Sequence, residues 1–247
     1  LCPWHDDSRP SLQVNPERQS YKCWACDIGG DIFSFVMRME NLDFREALEV
    51  LAERAGISLQ PRPTSAANDS PGTIDKQTMF RAVAWAEELY HRCLLEAPEA
   101  QPARDYLAEG QINEQIVRDF QWGFAPQQWD WLLKQSGSAP EKSTVLERVG
   151  LAVRREAGDG YYDRFRGRLI FPIRDIRGRP IAFGGRVLPQ LAGDNAGAKY
   201  INTPETPLFS KSREFYGLDR AKDAVAASRK LIVMEGYTDC LMAHQHG

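Results

Sequence analysis

The sequence has 247 residues, of which 43% are hydrophobic and 26% charged, and its formal net charge is -3. This composition is typical of a globular chain with one large domain or two smaller ones, and it argues against a disordered chain or a repeat array. No apolar run approaches the roughly 20 residues that span a bilayer, and no stretch has the charged start and apolar middle of a signal peptide. We therefore expect a soluble, cytoplasmic protein without membrane contact.

The first part of the chain predicts a small ribbon and two helices. Residues 1–30 are rich in Pro, Cys, Trp and Gly and contain short alternating stretches that suit strands. From residue 31 to residue 56 the apolar residues recur with helical spacing. Residues 58–78 are rich in Pro, Ser and Thr and also contain Asn68, Asp69 and Gly72, a composition that cannot bury a core. We therefore predict a first domain at residues 1–57 and a flexible linker at residues 58–78.

The remainder of the chain changes from helical to strand patterns. Helical spacing is present at residues 79–95, 103–109, 114–120, 129–135 and 218–228. Strand patterns are present at residues 168–173 and 180–187. The apolar run 230–234 predicts a buried strand, because an uninterrupted run is typical of a parallel sheet covered on both faces. The expected fold is mixed α+β, with further domains at residues 79–228 and 229–247.

Both ends of the chain are expected to be cuts through a longer gene product. Leu1, rather than Met, stands directly before a predicted metal ligand. Gly247 follows shortly after a predicted active-site strand.

Two pairs of metal-binding residues lie near the start of the chain. Cys2 and His5 are separated by two residues, as are Cys23 and Cys26, and seventeen residues lie between the pairs. This spacing lets two knuckles close a tetrahedron of three thiolates and one imidazole around Zn²⁺. Four protein ligands leave no open position for water, so we predict one structural zinc that stabilises the ribbon. The alternative is a set of unrelated thiols in a reduced protein.

Aromatic and basic residues alternate around these pairs. They are Trp4, Tyr21 and Trp24, interleaved with Arg9, Arg18 and Lys22. Such a surface can stack the bases of a single strand and contact its phosphates. The rings can equally cover the metal core. Both interpretations stay open for each ring, and Tyr21 and Trp24 are the candidate base-stacking residues.

A local basic surplus lies between residues 154 and 186 in a chain that is acidic overall. This segment contains nine arginines and four acidic residues. Arg164, Arg166 and Arg168 alternate, so an extended strand would project their guanidinium groups from one face, about 6.8 Å apart. Such a row can track the phosphates of a nucleic acid. The alternative is a solvated strand edge that charge keeps soluble.

An acidic motif follows the predicted strand 230–234. Glu235 would lie at the carboxyl end of a parallel strand, where the ligand clefts of open α/β sheets form. Asp239 would lie near the first turn of the next helix, close enough for the two carboxylates to share a Mg²⁺ site. The alternative is an acid that caps a helix.

Three groups of motifs, in this order, resemble DnaG-type bacterial primases and their phage relatives. They read CPWHDDSRPSLQV with QSYKCWAC and GGD, then YDRFRGRLIFPI with FGGR and KYINTPET, and finally EGYTD. The first group is similar to the family's zinc-binding domain. The second is similar to the amino-terminal subdomain of its polymerase core. The third looks like the first motif of the Toprim fold, which topoisomerases share.

The resemblance implies roles for individual residues. Zinc would be bound by Cys2, His5, Cys23 and Cys26. Template and nucleotide would be contacted first by Arg186, Lys199 and Asn202, and next by Arg166 and Arg168, beside Arg164. Mg²⁺ or Mn²⁺ would be bound by Glu235 and Asp239, with Glu235 also aiding proton transfer. The glycines of the FGGR motif would permit a close backbone approach, although a β-bulge also explains them.

As a whole, the resemblance implies a fragment of a DNA primase that makes RNA primers on single-stranded DNA from ribonucleoside triphosphates. Its fold would be a zinc ribbon, a linker, and an α/β polymerase core that includes the beginning of a Toprim sheet. A replicative helicase would bind through a region beyond residue 247. The family's Asp-x-Asp pair is absent from these residues, so we do not expect a complete catalytic site. The alternatives are the primase region of a phage-type primase–helicase and a non-catalytic zinc-ribbon protein that binds single-stranded DNA.

Overall fold

The computed structural model describes residues 1–39, 42, 44–57, 74–137, 140–156, 160–191 and 197–247. The chain divides into two compact units, Leu1–Asp69 and Ser70–Gly247. Most of the predicted linker, at residues 58–73, lies outside the described residues. None of the described helices has the length and apolar character needed to cross a membrane.

The first unit is a small antiparallel sheet followed by two helices. Strands β1 (Leu12–Asn15), β2 (Ser20–Cys23) and β3 (Gly29–Asp31) pair in that order. Helices α1 (Ile32–Met39) and α2 (Phe44–Arg54) follow. Among the described residues, the buried hydrophobic side chains of this unit are Cys2, Tyr21, Cys23, Val36, Ala47 and Ala52. So small a core supplies little burial free energy, and the unit needs a further source of stability.

The second unit combines helices with two antiparallel sheets. In chain order its elements are α3 (Lys76–Glu96), a 3-10 helix (Pro98–Ala100), α4 (Gln101–Glu109), α5 (Glu114–Asp119), β4 (Gly123–Ala125), α6 (Trp131–Ser136), α7 (Pro140–Arg148), β5 (Ala152–Arg154), β6 (Tyr161–Asp163), β7 (Arg168–Arg174), β8 (Pro180–Val187), a second 3-10 helix (Pro189–Leu191), β9 (Tyr200–Asn202), α8 (Leu218–Ser228) and α9 (Tyr237–His246). The predicted mixed α+β fold is confirmed.

Helix α3 packs directly against β4. The Asp75 carboxylate caps the helix by accepting hydrogen bonds from the backbone N–H and the hydroxyl of Thr78. A Cβ on Gly123 would lie 2.5 Å from the Cβ of Tyr90 in α3. Glycine at this position therefore allows the strand to approach the helix more closely than any other residue would.

The main sheet has the strand order β4-β7-β8-β9 and is covered on both faces. Alternate residues of β7 pack in different hydrophobic clusters, as the two-residue period of a strand requires. Leu169 and Phe171 pack with Trp122, whereas Ile170 packs with Tyr90. The middle of the sheet is therefore buried on both faces, whereas its edge strand β9 carries the polar residue Asn202.

The predicted buried strand at residues 230–234 is wrong. Residues 230–234 have no strand conformation, and Ile232 is 79% exposed. None of the described strands pairs with this run, and all pairings among the described strands are antiparallel. Since no strand among the described residues pairs with this run, its apolar side chains stay exposed.

Candidate metal centre and nucleic-acid interface

The four predicted zinc ligands lie together in the first unit. The ligand atoms of Cys2, His5, Cys23 and Cys26 are all within 4.8 Å of one another. The sulfurs of Cys2 and Cys26 are 3.8 Å apart, and the Cys23 sulfur is 4.0 Å from His5 Nδ1. A tetrahedral site with Zn–S bonds of about 2.3 Å places its sulfurs roughly 3.8 Å apart. The residues therefore fit one zinc ion with no open position.

Asp7 supports this centre, although the sequence analysis did not select it. Its Oδ2 accepts hydrogen bonds from the Cys2 N–H at 2.7 Å and the Ser11 hydroxyl at 2.8 Å, and its Oδ1 lies 3.7 Å from His5 Nε2. Burial acts to raise the pKa of Asp7, but the hydrogen bonds from Cys2 and Ser11 lower it to about 2. The carboxylate is therefore charged, and it leaves His5 to offer Nδ1 to the metal.

The aromatic residues of the ribbon differ in exposure. Tyr21 is buried, and its ring centroid lies 5.4 Å from that of Trp4 and 5.0 Å from that of Phe35. This favours the interpretation in which Tyr21 covers the metal core. Trp24 is 70% exposed, and its indole N–H donates to the Gln13 side chain at 3.0 Å. Of the two candidate base-stacking residues, Trp24 alone has a ring that solvent can reach.

The predicted row of three arginines on one strand is wrong. Strand β6 ends at Asp163 and β7 begins at Arg168, so Arg164 and Arg166 lie in the connection between them. Arg164 donates to the Gly150 carbonyl at 2.8 Å. Arg168 is buried and donates to the Ala198 carbonyl at 2.9 Å. These two guanidinium groups bind backbone carbonyls of the second unit instead of forming an exposed ridge.

Arg166 takes a different position from its two neighbours. Its guanidinium carbon lies 4.4 Å from the centroid of Trp129 and 5.0 Å from that of Tyr162. It also donates to the Asp163 carbonyl. Trp129 is 60% exposed. This stack of a cation and two rings is a partly exposed surface of the kind that binds bases and phosphates.

The remaining predicted contacts, Arg186, Lys199 and Asn202, lie close together along β8 and β9. The strands pair so that Arg186 is opposite Tyr200 and Gly184 is opposite Asn202, which puts all four on one face of the sheet. Arg186 donates to the Tyr200 hydroxyl at 3.0 Å, and its guanidinium carbon lies 4.8 Å from the ring centroid of Tyr106. Lys199, directly before β9, is exposed.

The acidic motif lies at the start of α9. Gly236 precedes the helix, and a Cβ on it would lie 2.7 Å from Asp239 Oδ2. Glycine thus makes room for the Asp239 carboxylate over the turn. Both Glu235 and Asp239 are exposed, and both line the groove that is also lined by Tyr200 and Asn202. The structure therefore brings the two predicted carboxylates to the side of the sheet that carries Asn202.

Tyr237, in the middle of the acidic motif, connects the motif to Asn202. Its hydroxyl donates to Asn202 Oδ1 at 2.9 Å, and its ring stacks on Phe171 with the centroids 4.9 Å apart. The sequence analysis quoted Tyr237 as part of the motif but gave it no role. It also missed Tyr106 and Trp129, which bear no local signal that separates them from core aromatics. Only the tertiary contacts reveal these three residues.

Two family models match this chain. The CHC2 zinc finger matches residues 1–67, and the DNA primase catalytic core, N-terminal domain, matches residues 90–222. A DNA primase of Pseudomonas putida is 41% identical over 246 residues, which cover 100% of this chain and 36% of that relative. The chain therefore spans about a third of the length of this curated relative.

Solved structures of similar fold belong to the same kind of protein. A DnaG primase catalytic domain bound to single-stranded DNA is 40% identical, with a TM-score of 0.62, over 69% of this chain and 51% of that one. The Aquifex aeolicus primase, with its zinc-binding and RNA polymerase domains, is 32% identical, with a TM-score of 0.58. That similarity covers 97% of this chain and 55% of the other.

Proposed function

Since this chain belongs to the family of the DNA primase catalytic core, N-terminal domain, we propose that the full gene product makes short RNA primers on a single-stranded DNA template. Its substrates are ribonucleoside triphosphates, and its partner at the replication fork is a replicative helicase. The observation that carries the proposal is the shared groove. Asn202 on the sheet and the carboxylates of Glu235 and Asp239 line it together.

Glu235 and Asp239 are the residues that would hold the catalytic Mg²⁺ or Mn²⁺. Both side chains are exposed to the groove, and Mg²⁺ is commonly held by one or two carboxylates together with substrate phosphates and water. The bound ion would neutralise charge on the reacting phosphates. Glu235 and Asp239 form the acidic side of the groove. Arg186 and Lys199 supply the positive charge that attracts nucleic acid and nucleotide.

The zinc unit has a separate task in this proposal. Its metal is structural, so the contribution to function comes from its surface. The exposed ring of Trp24 contacts a base of the template, and Arg166 with Trp129 forms a second contact on the polymerase unit. Single-stranded DNA affinity would then depend on both units and would fall with rising salt concentration.

The Glu235→Gln variant tests the enzymatic part of the proposal. In the full gene product, the parent should incorporate ribonucleotides on a single-stranded template with Mg²⁺ or Mn²⁺. Glu235→Gln should abolish incorporation and leave DNA affinity largely intact, because it removes a metal ligand without removing a positive charge.

Asp223→Asn is the matched control. Asp223 is an exposed carboxylate on α8 that does not line the groove. Its variant should keep the parent rate. Synthesis by Glu235→Gln at the parent rate would remove Glu235 from the mechanism. A parent without any template-directed synthesis would favour a non-catalytic protein that binds single-stranded DNA.

A further inference from the structure

We propose that Tyr237 is a positioning residue for Asn202. Its hydroxyl holds the Asn202 amide in the one orientation that keeps the amide N–H groups available to a phosphate oxygen in the groove. The proposal rests on the proposed function, because it assigns Asn202 a negatively charged ligand. That oxygen belongs either to a ribonucleoside triphosphate or to the template backbone, and the experiment below separates the two.

The ring of Tyr237 has one well-defined position. It stacks on Phe171 with an interplanar angle of 27°, and it meets Tyr216 edge to face at 86° with the centroids 4.9 Å apart. Contacts of both kinds are favourable for aromatic pairs and restrict rotation of the ring. The hydroxyl at its end is therefore aimed by packing.

Gly184 provides the space for this ring. A Cβ on Gly184 would lie 2.7 Å from Tyr237 Cζ and 2.9 Å from its hydroxyl oxygen. Gly184 is also the residue of β8 that pairs with Asn202 of β9. Glycine at this position therefore lets the Tyr237 phenol lie across the surface of the sheet and reach Asn202.

The direction of the hydrogen bond decides what Asn202 can bind. The amide oxygen and nitrogen have nearly the same size, so packing alone does not choose between the two orientations of the side chain. A phenol hydroxyl can donate or accept, but here it faces Oδ1, to which it can only donate, and this arrangement leaves the two N–H groups free to donate to an anion.

Tyr216 offers a matched control in the same aromatic cluster. Its ring contacts Tyr237 and also lines the groove, but its hydroxyl accepts a hydrogen bond from the indole N–H of Trp122, which is not a groove residue, at 2.6 Å. Tyr237→Phe and Tyr216→Phe each remove one half-buried, hydrogen-bonded phenol hydroxyl. Both should lower Tm by similar amounts, so a purely structural role predicts the same phenotype for both variants.

The experiment compares Tyr237→Phe, Tyr216→Phe and Asn202→Asp in the full gene product. It measures Tm, the KM for ribonucleoside triphosphates, and Kd for a single-stranded DNA oligonucleotide. We expect Tyr237→Phe to weaken one of the two interactions about three- to tenfold, the range typical of one lost hydrogen bond. A change in KM identifies the triphosphate as the ligand, and a change in Kd identifies the template. Tyr216→Phe should change neither.

Asn202→Asp tests the direction of the hydrogen bond. Aspartate still accepts from Tyr237 but has no N–H to donate, so the variant should lose at least as much affinity as Tyr237→Phe. In the Asn202→Asp background, adding Tyr237→Phe should cause no further loss. If Tyr237→Phe matches Tyr216→Phe in both interactions, Tyr237 is only a structural residue. A parent that synthesises no primer contradicts the proposed function instead, and the DNA affinities still test the positioning role.

Discussion

The folds of the two units are stabilised by different interactions. In the first unit, two of the zinc ligands, Cys2 and Cys23, are themselves among the buried side chains, so the metal centre and the core are one feature. In the second unit, hydrophobic clusters cover both faces of the sheet, and the polar groove residues Asn202, Glu235 and Asp239 lie outside those clusters. Loss of the zinc ligands should therefore unfold the first unit, whereas changes at these three polar residues should alter function alone.

This difference also separates the roles of charged residues. Asp7 beside the zinc ligands, and Arg168 beneath β9, bind neighbouring backbone groups and hold the framework. Arg186 is half-buried on β8, and Lys199 is exposed directly before β9. The basic surplus at residues 154–186 thus contains a buried framework arginine, Arg168, and a more accessible one, Arg186.

Removing zinc should produce the largest effect. It directly tests whether the metal stabilises the first unit and not the second. Cys23→Ser, or a strong chelator, should unfold the first unit and leave the second folded, because structural zinc contributes on the order of 10 kcal/mol to folding of such modules. Hydrogen exchange should show loss of protection in β1 to β3, α1 and α2, and none in the elements of the second unit. Cys240→Ala, in the second unit, is the control and should keep the zinc content. Preserved protection in β2 after zinc removal would contradict this account.

A pH-dependent effect is expected at Asp163 in the second unit. Its carboxylate accepts hydrogen bonds from the Leu132 and Leu133 N–H groups, at 2.6 and 3.2 Å, where α6 begins. Burial outweighs these N–H groups and raises the pKa of Asp163 from 3.8 to about 6. Because the folded-state pKa is raised, the contribution to stability is full below pH 3.8 and is lost as the pH rises through about 6.

Asp163→Asn isolates this contribution, since asparagine remains a neutral acceptor at every pH. From pH 4 to pH 7, the free energy of unfolding of the parent should fall relative to the variant by about 2 kcal/mol. Urea unfolding followed by near-ultraviolet circular dichroism of the buried Trp122 cluster reports on this unit. If the difference in the free energy of unfolding between the parent and the variant stays constant over this pH range, Asp163 does not titrate within the range.

The smallest effect is expected at the surface of the first unit. Trp24→Ala should weaken single-stranded DNA binding by about 1 kcal/mol, which is close to a fivefold change, because it removes one stacking ring. Val14→Ala shortens an equally accessible side chain on β1 and should leave the affinity unchanged. Fluorescence anisotropy with a labelled oligonucleotide at fixed salt concentration measures both. Equal affinities of the Trp24→Ala variant and the parent would remove the ring from the interface.

Much of the local structure was predictable because it depends on short-range patterns. Strand β8 and helix α8 have the predicted bounds, Pro180–Val187 and Leu218–Ser228. The zinc centre was predictable because each ligand pair lies within one turn of chain. The predictions that were wrong extended a local pattern beyond its range. The run 230–234 has strand character but no partner strand among the described residues, and the alternating arginines lie mostly in the connection between β6 and β7.

The sequence by itself determined the zinc ligands, most of the helices and strands, and the family, because spacing and residue type are enough to specify each of them. Only the tertiary structure decided which polar residues meet in the groove. Tyr237 and Asn202 are 35 positions apart and meet because β7, β8 and α9 pack together. No pattern within either segment encodes that contact. It arises from close packing, in which the shape of one element sets the position of side chains on another.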